Sequence, residues 1–475
     1  MASVNPCSDW QVRVVSRRLV KASDTSIMPR VVNVSNLDRI AWIIQVSMFC
    51  VYAKPAPPTG DFAAVVAAFE VGLPSFLNHF FLLAGRIATA NTSSGIPEIH
   101  CRNQGAELVV AKAGVALGSL DYRAMGPLLE RIQLPYGEDM ALSVQVVSFA
   151  CGGFTVAWRT NHVLLDGCAL SSLVTAWSEF TRSDGTLPAS HRPNHDRSVF
   201  HPRTPPSYSA TLDEAFTLLD SRHLVNALTA DQSSVLRFYY IEAADIARLR
   251  EAASRGGDGE RATRVEAVSA YLWKTLAGVV GAADPRCRMG WWVNGRRRLT
   301  SPDLRCAMRN YLGNFITFAG KEATVQEVVQ MPLPEVASMV REAITAPAYE
   351  EHFQELVDWV EGCKDEPFLS ASIGLGSLTL IVTAFTSFRI DTDFGFGQAV
   401  MAVPTDVRTA VTMRLCSGYV QIVERPGGGE GSWIVSAFVW PQLAAALEAD
   451  EPRVFEPLTA EQLGLFAPHC PQSRL

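Results

Sequence analysis

No two of the ten cysteines in this 475-residue chain form a CxxC pair. Cys50, Cys101, Cys151, Cys168, Cys287 and Cys416 stand alone, several of them inside apolar runs. A thiol in such a run behaves as a small buried hydrophobe, so neither a disulfide framework nor a metal site is expected. A basic excess is absent too: the net charge is −7, which argues against nucleic acid or an anionic membrane as the main partner and leaves room for one local basic pocket. No apolar run is read as reaching the roughly 18 residues of a membrane span. Asp9 and Arg13 precede any long apolar run, so no signal peptide is expected. The GxSxG elbow, the P-loop, the strand-borne Rossmann glycine fingerprint and the HExxH helix are all missing. No internal repeat recurs at a fixed short period.

What is there suits a folded, soluble, intracellular protein. Hydrophobic residues make up 48% and charged residues 19%, which is globular and not disordered composition. The length gives about two or three domains. The last three residues, Ser473-Arg474-Leu475, are a close variant of the Ser-Lys-Leu peroxisomal address. Cytoplasmic residence is the first expectation, and peroxisomal import is the second.

The pattern along the chain mixes strands and helices. Val12 to Val20, Trp42 to Tyr52 and Glu107 to Ala111 read as strands. Asp61 caps a helix to Phe69, and Pro74 opens a second helix through Phe81 that ends near Ala84-Gly85-Arg86. Leu142 to Phe149 and Phe154 to Trp158 read as a hairpin about Gly152-Gly153. From Ser183 to Ser209 the chain is rich in proline, histidine and serine without periodicity, which marks a connection between domains. His191, His195 and His201 are read there as solvated loop residues.

A new alternation follows. Val235 to Ile241 is a strand, and Ala244 to Ala253 a helix closed by Gly256-Gly257. Thr263 and Glu266 have capping-box spacing for the helix through Leu276. Trp291 to Val293 is a short strand leading to Arg296, Arg297 and Arg298, and Leu378 to Phe385 is a buried strand. Tyr419 to Glu424 and Trp433 to Val439 form a hairpin around Pro426 to Gly431, with a helix from Pro441 to Leu447 behind it.

Two stretches carry chemistry. In Asn161-His162-Val163-Leu164-Leu165-Asp166-Gly167 a histidine sits at a strand-to-helix corner, four residues ahead of an aspartate and a glycine. Histidine is the side chain best suited to proton transfer near neutral pH, and reactive groups tend to sit on loops held by a rigid scaffold. The alternative is a core histidine beside a helix-capping aspartate. Cys168, inside the apolar helix, reads as packing. Far along the chain, Asp393-Phe394-Gly395-Phe396-Gly397 implies a tight turn with close backbone approach.

Together these stretches resemble the plant BAHD family of acyl-CoA-dependent acyltransferases. His162 to Gly167 matches its HxxxDG and Asp393 to Gly397 its DFGWG, in the right order. Ser35-Asn36-Leu37-Asp38, Leu83-Ala84-Gly85-Arg86, Gln145-Val146 with Cys151-Gly152-Gly153-Phe154, Asp196-Arg197-Ser198, Pro205-Pro206, Asn294-Gly295-Arg296 and Tyr311-Leu312-Gly313-Asn314 resemble weaker family signatures between them.

The resemblance implies an α/β fold of two similar chloramphenicol-acetyltransferase-like domains, with the active site in a channel between them. The first would span 1–182, the crossover loop 183–232 and the second 233–475. It also implies a monomer with no permanently bound cofactor, using acyl-CoA as co-substrate and a small alcohol or amine as acceptor. His162 would be the general base. Asp166 would be structural, paired with Arg296 or Arg298, with Gly167 shaping the corner. Asp393 is a second catalytic candidate, with holding its own loop, alongside Phe394, Gly395, Phe396 and Gly397, as its other role.

Phe396 stands where the family most often has tryptophan, so no indole N–H is available, and Thr386 or a backbone N–H becomes the oxyanion candidate. The short Ser387 to Thr392 segment, with Arg389 in it, departs from shikimate-directed relatives. Phe388, Phe394 and Cys416 are candidates for the pocket wall. A non-catalytic BAHD-like partner in fatty-acid elongation is the rival reading, and retention of the DFGWG element favours an enzyme. A carrier-protein condensation domain would show HHxxxDG, where Asn161 replaces the first histidine.

Overall fold

The computed structural model describes the chain except for residues 1–9, 42–43, 58, 89–95, 219–226, 229–233, 255–260, 364–367, 371–377, 389, 406–416, 427–430 and 467–475. Trp42, Gly256-Gly257, Arg389, Cys416, most of the glycine turn after Pro426 and the Ser473-Arg474-Leu475 tail therefore lie outside the described residues.

Two large mixed sheets dominate. The first has six strands in the order Val12–Val20, Ala106–Ala113, Leu142–Phe149, Phe154–Asn161, Gln45–Tyr52, Met401–Thr405. The second has seven: Ile316–Thr324, Arg286–Asn294, Thr379–Ala384, Ser417–Glu424, Trp433–Val439, Val235–Ile241, Glu456–Pro457. Inside each sheet the same four-strand pattern recurs. Gln45–Tyr52, Ala106–Ala113, Leu142–Phe149 and Phe154–Asn161 lie in the spatial order second, third, fourth, first, with only the second–third contact parallel. Val235–Ile241, Thr379–Ala384, Ser417–Glu424 and Trp433–Val439 repeat that order and those senses. The chain is thus two domains of like topology, a likeness too long-range to appear as a sequence period.

Local chemistry explains the elements near the site. The Leu142–Phe149/Phe154–Asn161 hairpin turns at Gly152, whose φ of +82° is a left-handed value that side chains with a Cβ resist. Both strands are almost wholly buried, as expected of strands covered on two faces. The helix Gly167–Arg182 leaves the hairpin and lays Trp177 on Phe69, rings 4.8 Å apart and 9° from parallel. Such a pair contributes about 0.5–1.5 kcal/mol beyond its area. In the second domain, Thr263 and Glu266 close the reciprocal capping box on the helix Arg264–Val280.

Three expectations are corrected. Pro74 does not open a second helix: Phe62–His79 is one 18-residue helix with Pro74 inside it, capped by the Asp61 carboxylate accepting from Ala63 and Ala64 N–H. The missing proline N–H frees the carbonyl of Glu70, an exposed residue, where water can satisfy it. As one piece this helix is long and apolar enough to pass for a membrane span, although Val65, Phe69, Leu73, Phe76 and Leu77 are buried against the first sheet's core. Met401–Thr405, numbered in the second domain, pairs antiparallel with Gln45–Tyr52 as an edge of the first sheet; a five-residue apolar run cannot announce which sheet it joins.

The third correction concerns His195, which is not solvated. It packs on Phe81 with rings 4.6 Å apart, and its Nε2 lies 2.9 Å from the His79 carbonyl. The linker around it clings to the domains through a bridge of Asn194 to Tyr311 and the ion pair of Arg203 with buried Asp358.

Candidate active site

A cavity of about 880 Å³ lies between the two sheets, with walls from both. The first domain supplies Ile44, Val46, Ser47, Pro404 and the motif residues His162 and Leu165 to Cys168. The second supplies Trp291 to Asn294, Val382 to Phe385, Tyr419, Gln421 and Phe438. Of the apolar candidates, Phe388 lines it; Phe394 is buried in the first domain's core.

His162 follows the last residue of Phe154–Asn161 and is half-buried on this wall. Its N–H donates to the Ile44 carbonyl at 2.8 Å, which continues the strand pairing for one residue and fixes where the side chain leaves the backbone. Its Nδ1 lies 3.1 Å from Asn314 Oδ1, and its carbonyl accepts from Asn314 Nδ2 at 2.8 Å. Burial pushes the imidazole below its ordinary pKa, opposed by a hydrogen bond to its own backbone, by Asp166 and by Asn314. The ring is therefore neutral near pH 7, the form a base requires.

Asp166, on the same wall, is engaged on both carboxylate oxygens and staples the domains together. Its Oδ1 accepts from Ala169 N–H at 2.8 Å, capping the Gly167–Arg182 helix. Its Oδ2 accepts from Arg296 at 2.6 Å and from Phe315 N–H at 2.8 Å, both in the second domain. Arg296 also donates to the Tyr311 and Gly313 carbonyls. Of the two arginines the sequence left open, Arg296 makes the pair, and Arg298 lies over the Tyr349 ring at 5.4 Å. Gly167 has its own reason: a Cβ there would meet the Phe385 ring of the second domain at 2.3 Å.

The second motif is not brought to the cavity. Asp393 Oδ1 accepts from Gly395 N–H at 2.9 Å and Gly397 N–H at 3.0 Å, closing a turn in which both glycines have positive φ, +102° and +88°. Phe394 plugs this turn into the first domain, 5.5 Å from the Tyr52 ring and 5.4 Å from that of Phe69. Arg182 holds it from the motif helix by pairing with Asp391 at 2.5 Å and donating to the Asp393 carbonyl. Phe396 packs beside Phe394 at 5.2 Å and is not on the cavity wall that carries His162, so the missing indole N–H is missing from a side chain off that wall. Thr386 is half-buried in the turn after Thr379–Ala384, but its neighbours Phe385 and Ser387 line the cavity and it does not.

Sequence reasoning missed the support behind the histidine. Asp38 and Asn314 had appeared only as parts of weak signatures. Asp38 is fully buried and accepts from Asn314 N–H at 2.8 Å and from Asn314 Nδ2 at 3.2 Å. Arg197, in the linker, pairs with Asp38 at 3.0 Å. Residues 276 apart in sequence leave no local pattern to read.

Comparison with known proteins agrees with this architecture. Residues 10–440 match the Transferase family. Omega-hydroxypalmitate O-feruloyl transferase of Arabidopsis thaliana is 25% identical over 398 residues, covering 81% of this chain and 82% of that protein. Putrescine hydroxycinnamoyltransferase of Oryza sativa subsp. japonica is 27% identical over 459 residues, covering 90% and 96%. Among solved structures, F. sporotrichioides TRI101 complexed with coenzyme A and T-2 superposes with a TM-score of 0.71 at 17% identity, covering 90% of this chain and 99% of that one; that likeness speaks to the fold. A match over nearly the whole chain, on a fold of two such domains, makes this protein a member of the BAHD acyltransferase family.

Proposed function

We propose that this enzyme moves an acyl group from acyl-CoA to the hydroxyl or amine of a small metabolite, with His162 as general base and no acyl-enzyme. The observation that carries the reading is a neutral, half-buried histidine on the wall of a large cavity between the domains. The acceptor's O–H or N–H proton passes to the His162 ring nitrogen that Asn314 does not engage. The acceptor oxygen or nitrogen attacks the thioester carbonyl, and the tetrahedral intermediate collapses by breaking the C–S bond. The CoA thiolate leaves and takes the proton back from the imidazolium. Positioned proton transfer of this kind contributes ~10²–10⁴-fold.

The charge of the wall supports CoA as the donor. Arg261, Arg297, Arg298 and Arg341 line the cavity with the carboxylates Glu130, Asp166 and Glu266. Asp166 is neutralised by Arg296 and Glu266 by Arg341, which leaves Arg261, Arg297 and Arg298 against Glu130. This local positive balance in an acidic chain suits the phosphates of CoA. The two relatives are named for feruloyl or hydroxycinnamoyl transfer, to ω-hydroxypalmitate and to putrescine respectively. Hydroxycinnamoyl-CoA thioesters are therefore the first donors to try, with benzoyl- and acetyl-CoA behind them, against alcohols and amines.

The test is free-thiol release from purified protein on a panel of those donors and acceptors. His162→Ala is expected to abolish transfer while leaving acyl-CoA affinity within a few-fold of the parent. Parent-like turnover in that variant would end the general-base reading.

A further inference from the structure

Besides His162, the two sheet walls of the cavity carry a neutral hydrogen-bonding patch. On the second sheet, Thr383, Gln421 and Ser436 are register partners on three neighbouring strands, with Tyr419 on the same face as Gln421. On the first sheet, Ser47 and Thr405 are cross-strand partners, and both line the same cavity. Their edge strand Met401–Thr405 packs against the two strands that carry Gln421 and Ser436. Part of this set is satisfied within the protein. Thr383 Oγ1 and Tyr419 Oη lie 2.8 Å apart, and Gln133 Nε2 donates to Thr405 Oγ1 at 2.9 Å. The rest is open. Ser47 is 2% exposed with its Oγ unpartnered, and Gln133 Oε1, on the amide that holds Thr405, is buried without a partner. Ser436 is 8% exposed, and neither it nor Gln421 makes a side-chain hydrogen bond to another described residue.

Buried polar groups are costly unless they are hydrogen-bonded, so open donors and acceptors on a cavity wall are complementary to a ligand's hydroxyls. All six lining side chains of the patch are neutral near pH 7. The carboxylates of the cavity are committed or exposed: Asp166 and Glu266 are each paired with an arginine, and Glu130 is exposed on its helix. Among the described lining residues, no buried carboxylate is therefore left to receive an ammonium group, and taking an unpaired cation out of water is expensive. A hydroxyl both donates and accepts, and it finds partners on this patch without that cost.

We propose that the patch is a subsite for hydroxyl groups of uncharged substrates, and that the cavity turns away cationic polyamines. This rests on the acyl-transfer reading above and deepens it by naming the substrate class. The hydroxyl is carried either by the acceptor or by the ring of a hydroxycinnamoyl group, and the test separates the two sources.

A butanediol with a hydroxyl at each end has the carbon chain of putrescine without its charges. The same diol and butanol differ by one hydroxyl, as do coumaroyl-CoA and cinnamoyl-CoA. Each compound is given to the parent, Gln421→Leu and Ser436→Ala, and read by free-thiol release and by the rise it causes in melting temperature. Melting temperatures of the free variants near the parent's show that the fold holds. The parent is expected to favour the diol over putrescine by at least about tenfold, and the hydroxylated member of one of the other pairs by roughly five- to tenfold. Both variants should cut that second preference at least about threefold. A cut confined to the diol and butanol puts the hydroxyl on the acceptor; one confined to the two thioesters puts it on the acyl group.

Putrescine used as well as the diol would overturn the proposal. So would a hydroxyl preference that neither variant changes, or a panel in which no hydroxylated compound outdoes its partner by either readout. His162→Ala keeps the two readings apart: parent-like turnover there ends the base reading, while the hydroxyl preference is still decided by the melting temperatures.

Discussion

At the residue scale, the histidine and the aspartate of the motif do different work, and each difference is measurable. Burial lowers the His162 pKa from its ordinary 6.5. A general base acts in its neutral form, so under the proposed role kcat/KM should stay flat through neutrality and decline only on an acid limb centred below 6.5. A limb at or above that value in the pH–rate profile would contradict the desolvated ring. Asp166, 1% exposed, anchors a helix start and two second-domain groups with one carboxylate. Asp166→Ala leaves the Arg296 guanidinium buried without its partner, a loss on the order of 3–5 kcal/mol. Thermal denaturation should show that fall, and turnover should drop as the corner loosens. An unshifted midpoint would mean that the pair carries no stability. Histidine, aspartate and glycine at this spacing were all legible in the sequence. The choice of Arg296 over Arg298 was not, since it depends on how the short 3₁₀ turn Gly295–Arg297 is aimed.

At the scale of single elements, turn chemistry was the most readable part of the chain. The Thr263–Glu266 box, the Asp61 cap and the glycine hairpin follow from side-chain hydrogen bonding and left-handed backbone, which are local properties. Pro74 misled because the helix continues through it, with the carbonyl it frees on exposed Glu70, where water can reach. The Asp393–Gly397 turn was legible as a tight turn, but its place in the molecule was not. Its aromatic plug, Phe394, selects the first domain's core although it comes late in the chain. Asp393→Ala removes the acceptor for two exposed turn N–H groups, a cost of about 1–2 kcal/mol. The expected result is a lower melting point with turnover at 25 °C within about tenfold of the parent, since only structure is lost. A fully folded Asp393→Ala as inactive as His162→Ala would instead return Asp393 to the chemistry.

At the scale of the whole molecule, the repeated four-strand pattern brings a histidine to the interdomain wall in one unit and not in the other. The strand Phe154–Asn161 delivers His162 to the interdomain wall, while its counterpart Trp433–Val439 runs into Trp440, a fully buried ring ahead of the helix Pro441–Ala449. The repeat was invisible in sequence because topology, not side chains, carries it. Two half-buried histidines, His195 in the linker and His352 inside the second domain, set an acid limit on the fold. Burial lowers both His195 and His352 to about 4; nearby Arg197 and Arg30 push His195 further down against its bond to the His79 carbonyl. Unfolded, each titrates near 6.5. Between those values the unfolded chain binds more protons, so stability is full above pH 6.5 and is lost progressively as pH falls toward 4. Each site contributes on the order of 2–3 kcal/mol, discounted for partial exposure. His195→Gln removes one titration from this window, so its melting temperature should fall less than the parent's between pH 6.5 and 4. Parallel curves for the two proteins would show that His195 is protonated in the folded state at no cost, and that the linker is not packed as tightly as its contacts with Phe81 and His79 indicate.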